Sequence, residues 1–218
     1  IINPALFVVM TQEATYSLSL NAQEQQYYAQ MRDVLDEREA FTPVVIKEVS
    51  GTHDSDQLAI VTVQDGPGLP KDELLAPDVG DKHNSYQEPE RFLASGGKRG
   101  RQERVLVEGT YYINRLFATV EFIKKTVIPV GFVGVVVSYT GSKGDDLSGT
   151  EYSHGELVEN HCRGVWRDPL MPGKYAFNTY AGKIELVPTT NFVLMWKSGQ
   201  SGSNFDTNLR EITLITKD

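Results

Sequence analysis

The sequence is poor in cysteine, in positive charge and in long apolar runs. Its 218 residues include one cysteine, Cys162, which excludes an intramolecular disulfide and a four-cysteine zinc site. The formal net charge is −8, which argues against nucleic-acid binding because such proteins usually carry a basic stripe that displaces counterions from phosphates. The longest apolar run, residues 127–137, contains Pro129 and two glycines and is too short to span a bilayer.

The chain also lacks an initiator methionine. It opens on Ile1-Ile2-Asn3-Pro4, without the charged region or the small-residue cleavage site of a signal peptide. We therefore expect an internal fragment of a longer protein. Hydrophobic residues make up 40% of the sequence, which is enough to form a core.

Short apolar runs rich in Val, Ile, Phe, Tyr and Thr, bounded by Gly, Pro, Asn or Asp, predict a mainly β protein. The predicted strands are Leu6–Met10, Thr15–Leu20, Pro43–Val49, Leu58–Gln64, Arg104–Val107, Thr110–Ile113, Thr119–Phe122, Phe132–Tyr139, Lys174–Asn178, Lys183–Val187, Asn191–Trp196 and Glu211–Thr216.

Two segments have helical patterns instead. Asn21 and Glu24 form a capping-box pattern, and apolar residues then recur at helical spacing, which predicts a helix over Ala22–Arg38. A shorter helix is predicted over Glu88–Ala94 because proline is tolerated in a first turn and two glycines follow. The polar stretch Asp81–Ser85 is predicted to be a mobile loop.

A strand-turn-strand phrase occurs twice, 64 residues apart. Each copy places a glycine, a tyrosine two residues later and an asparagine three residues after that, a combination that suits a turn, a packed aromatic and a corner. The matched pairs are Leu93 with Leu157, Arg99-Gly100 with Arg163-Gly164, Leu106 with Leu170, Gly109 with Gly173, Tyr111 with Tyr175, Asn114 with Asn178, Glu121 with Glu185, and Thr126 with Thr190.

The strands before each phrase also correspond. Residues 58–63 followed by Gly66 match residues 133–138 followed by Gly141, which predicts two similar compact β units. A third trace, Ile2-Asn3 followed by Leu6-Phe7, indicates an earlier copy. The matched glycines Gly109 and Gly173 stand where the chain must turn before a return strand. We therefore predict that Gly173→Val damages folding more than substitution of any histidine, because a β-branched side chain is strained at positive φ.

The second copy carries a longer motif string that resembles the SPFH or Band 7 family of stomatin, prohibitin and flotillin. The residues that carry the resemblance are Ile128-Pro-Val-Gly-Phe-Val-Gly-Val-Val136, Arg163-Gly-Val-Trp166, Leu170-Met-Pro-Gly-Lys-Tyr175 and Asn178. The chain is most similar to long bacterial flotillin-like proteins, in which several β units precede the SPFH domain.

The resemblance implies a non-enzymatic, membrane-associated scaffold, a homo-oligomeric ring or cage that organises membrane lipids and membrane proteins. The family's membrane anchor and its long C-terminal coiled-coil helix are not in this sequence, so we expect the anchor to lie outside it.

The predicted fold class is mainly β, or β-rich α+β, with tandem small barrel-like or sandwich-like modules and one or two short helices. Residues 1–56 are assigned to the end of an upstream β module with an inserted helix. Residues 57–125 are named module 1, residues 126–188 are named module 2, and residues 189–218 are assigned to the start of the SPFH domain.

One dense basic cluster is a candidate contact for anionic lipid headgroups. It consists of Lys98, Arg99, Arg101 and Arg104. Its counterpart in module 2 keeps Arg163-Gly164 and loses most of the remaining charge, so the Arg-Gly pair is interpreted as architectural.

A second cluster gathers residue types that zinc accepts: His154, Glu156, Glu159, His161 and Cys162. Its spacing fits no helical histidine pair and no zinc knuckle, so we predict a polar loop whose side chains do not converge. Residues 53–56 are likewise predicted to form a solvated loop.

No sequence motif indicates an enzyme, a cofactor, a metal or a small-molecule substrate. Two other functions stay open. One is a soluble β-rich module that binds a protein or peptide at a strand edge. The weaker one is a metal-dependent hydrolase that uses the His154–Cys162 region.

Overall fold

The computed structural model describes residues 7–47, 56–149 and 157–189. These residues form thirteen strands and two helices, which confirms the predicted mainly β fold class. The elements are β1 Val9–Met10, β2 Thr15–Tyr16, α1 Ala22–Glu37, β3 Val44–Ile46, β4 Gln57–Val63, α2 Pro89–Ala94, β5 Gly100–Leu106, β6 Gly109–Tyr111, β7 Ala118–Lys124, β8 Thr126–Ile128, β9 Phe132–Ser138, β10 Leu157–Val158, β11 Gly164–Trp166, β12 Gly173–Tyr175 and β13 Gly182–Pro188.

Both predicted helices are confirmed. The Asn21 side chain accepts a hydrogen bond from the Glu24 amide at 2.9 Å, and the Glu24 carboxylate accepts one from the Asn21 amide at 2.9 Å. This reciprocal capping box satisfies two amides that have no partner inside α1. In α2, Pro89 occupies the first turn, where its missing N–H costs nothing.

Module 1 is built on the antiparallel sheet β5-β4-β7. Its core packs alternate residues of β4, among them Val61 and Val63, against Phe92 of α2 and against Phe117. The Phe92 side chain is fully buried, which contributes about 1.5–3 kcal/mol to folding. A short sheet completes the module, because β3 pairs with β6 although β3 lies in the range assigned to the upstream module.

Module 2 repeats this plan with different residues. Its main sheet has the order β10-β11-β9-β13, and β12 pairs with β8. Strands β9, β11, β12 and β13 therefore occupy the places of β4, β5, β6 and β7, while β8 takes the place of β3. The buried apolar residues Ile128, Val136 and Val158 lie in this module.

The strand registers of the two modules agree residue by residue. In module 1, β4 and β7 pair from Gln57 with Lys124 to Val63 with Ala118. In module 2, β9 and β13 pair from Phe132 with Pro188 to Ser138 with Gly182. A one-residue slip would turn every side chain to the opposite face, so this agreement fixes matching faces in the two modules.

The tyrosine of the repeated strand-turn-strand phrase makes the same hydrogen bond in both modules. The Tyr111 hydroxyl donates to the Val107 carbonyl at 3.0 Å, and the Tyr175 hydroxyl donates to the Met171 carbonyl at 2.8 Å. Each tyrosine thus bridges the turn before its own short strand. The phrase encodes one local turn geometry that both modules need.

Glycines adopt positive φ at equivalent points, but of the two glycines in the repeated phrase only one does so. Gly66 and Gly141 follow β4 and β9 with φ of +100° and +99°. In the repeated phrase, Gly109 has φ of +155°, whereas Gly173 lies outside the positive range. A Cβ on Gly173 would meet Tyr175 at an ordinary 3.5 Å. The premise behind the expected severity of Gly173→Val is therefore wrong.

The match of Leu93 with Leu157 is also wrong, because Leu93 lies in α2 and Leu157 lies in β10. Ala76 and Val158 are the true equivalents, since they form parallel bridges to β5 and β11 respectively. The predicted strands Asn191–Trp196 and Glu211–Thr216 lie outside the described residues. Strands β8 and β10 were missed because they have only three and two residues.

Candidate interaction site between the modules

One face of the module 1 sheet is covered although it lies opposite the core. Leu58 and Ile60 alternate along β4 with the core residues Ala59 and Val61, and both are fully buried. Successive side chains of a strand point to opposite faces, so this second apolar face is buried by something other than the module's own core. The residues of module 2 described below contact the polar rim of this face.

Asn178 makes the central polar contact between the modules. Its side-chain amide donates to the carbonyls of Gln102 and Glu103, each at 3.0 Å, and its side-chain oxygen accepts from the Tyr180 amide at 3.0 Å. The side chain is only 6% exposed. A buried amide with three satisfied hydrogen-bonding positions fixes both partners strongly, because any loss leaves a buried polar atom unpaired.

The two carbonyls are available because β5 carries a register shift opposite β4, between Ile60 and Thr62. The Gln102 side chain stabilises this irregular backbone, since its amide donates to the Lys98 carbonyl at 2.9 Å and the Gly100 carbonyl at 2.8 Å. A bulge turns main-chain groups away from the sheet ladder. Here it presents them to the next module.

Tyr180 contacts the same sheet face from module 2. Its hydroxyl donates to the Glu121 carboxylate at 3.0 Å, and the Arg101 guanidinium lies 3.4 Å from the centre of its ring. Arg101 also lies 3.9 Å from the Glu121 carboxylate. The cation stacked on the aromatic face and the charge-assisted hydrogen bond orient one module on the other.

A third contact between the modules joins β12 to the residue before β4. The Lys174 ammonium of β12 forms an ion pair with the Asp56 carboxylate, which precedes β4 and is 3% exposed. The sequence predicted that residues 53–56 form a solvated loop. For Asp56 this prediction is wrong, and residues 53–55 lie outside the described part of the chain.

The equivalent residues of module 1 do not make these contacts. Asn114 keeps the local hydrogen bond, because its side-chain oxygen accepts from the Leu116 amide at 2.9 Å. Its side chain is exposed, however, and Leu116 at the position of Tyr180 is 42% exposed. The duplicated phrase therefore performs one local task in both modules and an additional long-range task only in module 2.

The basic cluster is brought together only in part and is largely paired with acids. Lys98 pairs with Glu73 at 3.1 Å, and Arg104 pairs with Asp81 and lies 3.7 Å from Asp78. The remaining members are Arg101, which lies in the module interface, and Arg99, which is exposed and makes no ion pair within the described residues. Lipid contact stays a prediction that now rests mainly on Arg99.

The described members of the polar cluster have separate partners. Glu159 accepts from the Arg167 guanidinium at 2.8 Å, and the His161 ring packs on Trp166 with centroids 5.0 Å apart. The Cys162 sulfur lies 3.7 Å from the Ser142 hydroxyl. His154 and Glu156 lie outside the described residues, within which no group of three or more potential ligands could hold a metal ion.

Module 1 contains a buried histidine that no sequence pattern predicted. His83 is 1% exposed, accepts a hydrogen bond from the Tyr86 amide at 2.8 Å on Nδ1, and packs on the rings of Tyr86 and Phe92. Burial lowers the pKa of His83, and the nearby Arg104 guanidinium lowers it further. The stretch predicted to be a mobile loop is therefore anchored in the core.

The backbone around His83 is unusual and needs this anchoring. Asn84, Ser85 and Tyr86 have φ of 48°, 53° and 66°, and left-handed backbone costs non-glycine residues roughly 1–2 kcal/mol each. Burial of the Tyr86 ring also raises the pKa of its hydroxyl. The polar composition of residues 81–85 predicted an exposed loop and gave no sign of this buried structure.

An apolar groove opens at the end of module 2. It has a volume of about 610 Å³ and is formed by β8, the turn before β12, and β13, with Val130, Pro172 and Leu186 in its wall. Val130 is 91% exposed and Leu186 is 45% exposed. Concave apolar surfaces of this kind are typical of binding sites.

Among the described residues, no helix combines the length and apolar character needed to cross a membrane. No known protein family, no curated protein and no solved structure matches the chain.

Proposed function

We propose that this chain is a non-enzymatic scaffold, a membrane-associated array of β modules that contributes to a homo-oligomeric assembly and organises neighbouring lipids and proteins. The observation that carries the proposal is the interface between the modules. The buried Asn178 amide, the Tyr180 contacts and the ion pair of Lys174 with Asp56 bind one module to the next.

A scaffold needs such an interface because lateral assembly multiplies weak contacts. Identical subunits that present several binding surfaces in a fixed geometry gain avidity only if those surfaces stay in register. Two flexibly joined modules would lose this advantage. The motif string of module 2 that resembles the SPFH family supports the membrane part of the proposal.

Two measurements test the proposal on the 218-residue chain. Light scattering over a range of protein concentrations is expected to show association beyond the monomer. Flotation with vesicles is expected to show binding to phosphatidylglycerol-containing vesicles and weaker binding to pure phosphatidylcholine vesicles. A chain that stays monomeric and floats with neither vesicle contradicts the proposal.

A matched pair of variants tests the lipid contact. Arg99→Glu is expected to reduce flotation, because Arg99 is an exposed cation of the basic cluster. Arg91→Glu makes the same charge change at a side chain that is 68% exposed and pairs with Glu88. Equal losses for both variants would show that only net charge matters and that the cluster is no specific site.

The groove of module 2 supports a second candidate function, a soluble module that binds a protein or peptide. Selection from a random peptide library tests it, with counter-selection against the Leu186→Lys variant. Peptides that bind the chain and lose binding to this variant support the second candidate. Failure to select any such peptide contradicts it.

A further inference from the structure

One sheet face of module 2 has apolar side chains that are only half-buried and charged side chains that are exposed. We name it the outer face and define it as the side of β9, β11 and β13 opposite the module 2 core. The outer face consists of Val133, Val135, Val137, Val165, Lys183, Glu185 and Val187.

The matching face of module 1 is the one that Tyr180 of module 2 contacts through Glu121. Val135 pairs with Glu185 as Ile60 pairs with Glu121. Ile60 is fully buried, whereas Val135 is half-buried. The outer face is thus a second copy of the module 1 face that module 2 contacts.

The backbone acceptors of that docking surface are also repeated. In module 2, β9 and β11 pair at Val137 with Val165, and the next bridge joins Gly134 with Leu170. Between these two bridges the chain advances three residues along β9 and five residues on the β11 side. The β11 side thus has two extra residues, as β5 has opposite β4. Within the described residues, no side chain donates to the carbonyls of Trp166 or Arg167, which stand where those of Gln102 and Glu103 bind Asn178.

The chain also leaves the two modules in the same way. The Lys125 amide donates to the Asp56 carbonyl at 2.9 Å directly before module 2 begins. The Thr189 amide donates to the Gly131 carbonyl at 2.8 Å at the equivalent point after module 2. The same exit hydrogen bond that precedes a docked module is therefore present where residues 190–218 begin.

We propose that residues 190–218 of this chain dock on the outer face, as module 2 docks on module 1. The face offers its valines to apolar side chains and the carbonyls of Trp166 and Arg167 to a side-chain donor. It offers the Glu185 carboxylate, which pairs with Lys183 at 2.7 Å, to a hydroxyl or a cation. This inference does not depend on membrane association, so it stands or falls separately from the proposed function.

Methyl NMR on the whole 218-residue chain with a soluble, neutral gadolinium chelate tests the inference. Signals of Val135 and Val130 are identified by Val135→Ala and Val130→Ala. The Val135 methyls are expected to be protected from paramagnetic broadening to the level of the fully buried Ile60, while the Val130 methyls, 91% exposed, broaden strongly.

The same spectra at several protein concentrations separate the chain's own segment from a second copy. Protection of Val135 that does not change on dilution supports docking of residues 190–218. Protection that disappears on dilution, together with a falling mass in light scattering, assigns the face to a second copy and overturns the proposal. Broadening of Val135 well above the level of Ile60 at all concentrations also overturns it.

Discussion

The clearest test of the module interface is to change Asn178 to Asp and to make the same change at its repeat partner, Asn114. In both variants the carboxylate still accepts the local hydrogen bond from the amide two residues later. Only at position 178 does the substitution remove an amide that donates to two carbonyls of the other module. The pair therefore isolates the long-range contact from the local turn.

The expected cost follows from the geometry. Each lost hydrogen bond is worth about 0.5–1.5 kcal/mol, and a buried carbonyl without a donor costs about 1–3 kcal/mol. The contributions overlap, so we expect Asn178→Asp to lower the free energy of unfolding by roughly 2–4 kcal/mol at neutral pH. Asn114→Asp at an exposed side chain is expected to change it by less than about 0.5 kcal/mol.

Urea unfolding of both variants at 25 °C, followed by circular dichroism, gives this comparison. We also expect Asn178→Asp to regain part of its stability on acidification, because a protonated carboxyl donates one hydrogen bond again. Equal effects of the two substitutions, or a cost below about 0.5 kcal/mol at position 178, would refute the argument that this side chain holds the modules together.

Three further outcomes are expected. Gly141→Val should lower the free energy of unfolding in urea by more than about 2 kcal/mol, because Gly141 has φ of +99° and a Cβ there would lie 2.5 Å from a backbone carbonyl oxygen. Gly173→Ala should lower it by less than about 1 kcal/mol. A larger cost for Gly173→Ala than for Gly141→Val would contradict the backbone assignment. Burial lowers the folded-state pKa of His83, so the unfolded chain binds more protons than the folded chain below about pH 6.5. The melting temperature should therefore fall as the pH drops through this range, and His83→Phe should make this fall smaller. An unchanged pH dependence in the variant would contradict this role of His83. Lys174→Met removes the ammonium partner of the buried Asp56 and should lower the free energy of unfolding by roughly 2–4 kcal/mol, seen as a lower melting temperature. An unchanged melting temperature would show that the remaining contacts hold the modules together without this ion pair.

Much of the local structure could be predicted from residue patterns. The capping box at Asn21 and Glu24 located the start of α1, because both hydrogen bonds join residues three apart in sequence. Short apolar runs rich in β-branched residues located β4 and β9 for a similar reason, since strand propensity is a local property. The duplicated turn phrase with Tyr111 and Tyr175 was visible because each hydroxyl bonds a carbonyl four residues earlier.

The sequence by itself therefore determined the β-rich class, the two helices and the duplication of a turn. It could not determine which copy of the phrase would be buried, because Asn114 and Asn178 are the same residue in the same local motif. Only the tertiary structure decided that Asn178 meets carbonyls about 75 positions earlier, that Asp56 is buried against Lys174, and that His83 lies in the core. The physical reason is that burial depends on which distant segments meet, and polar residue types carry no local signal of the partner that makes their burial favourable.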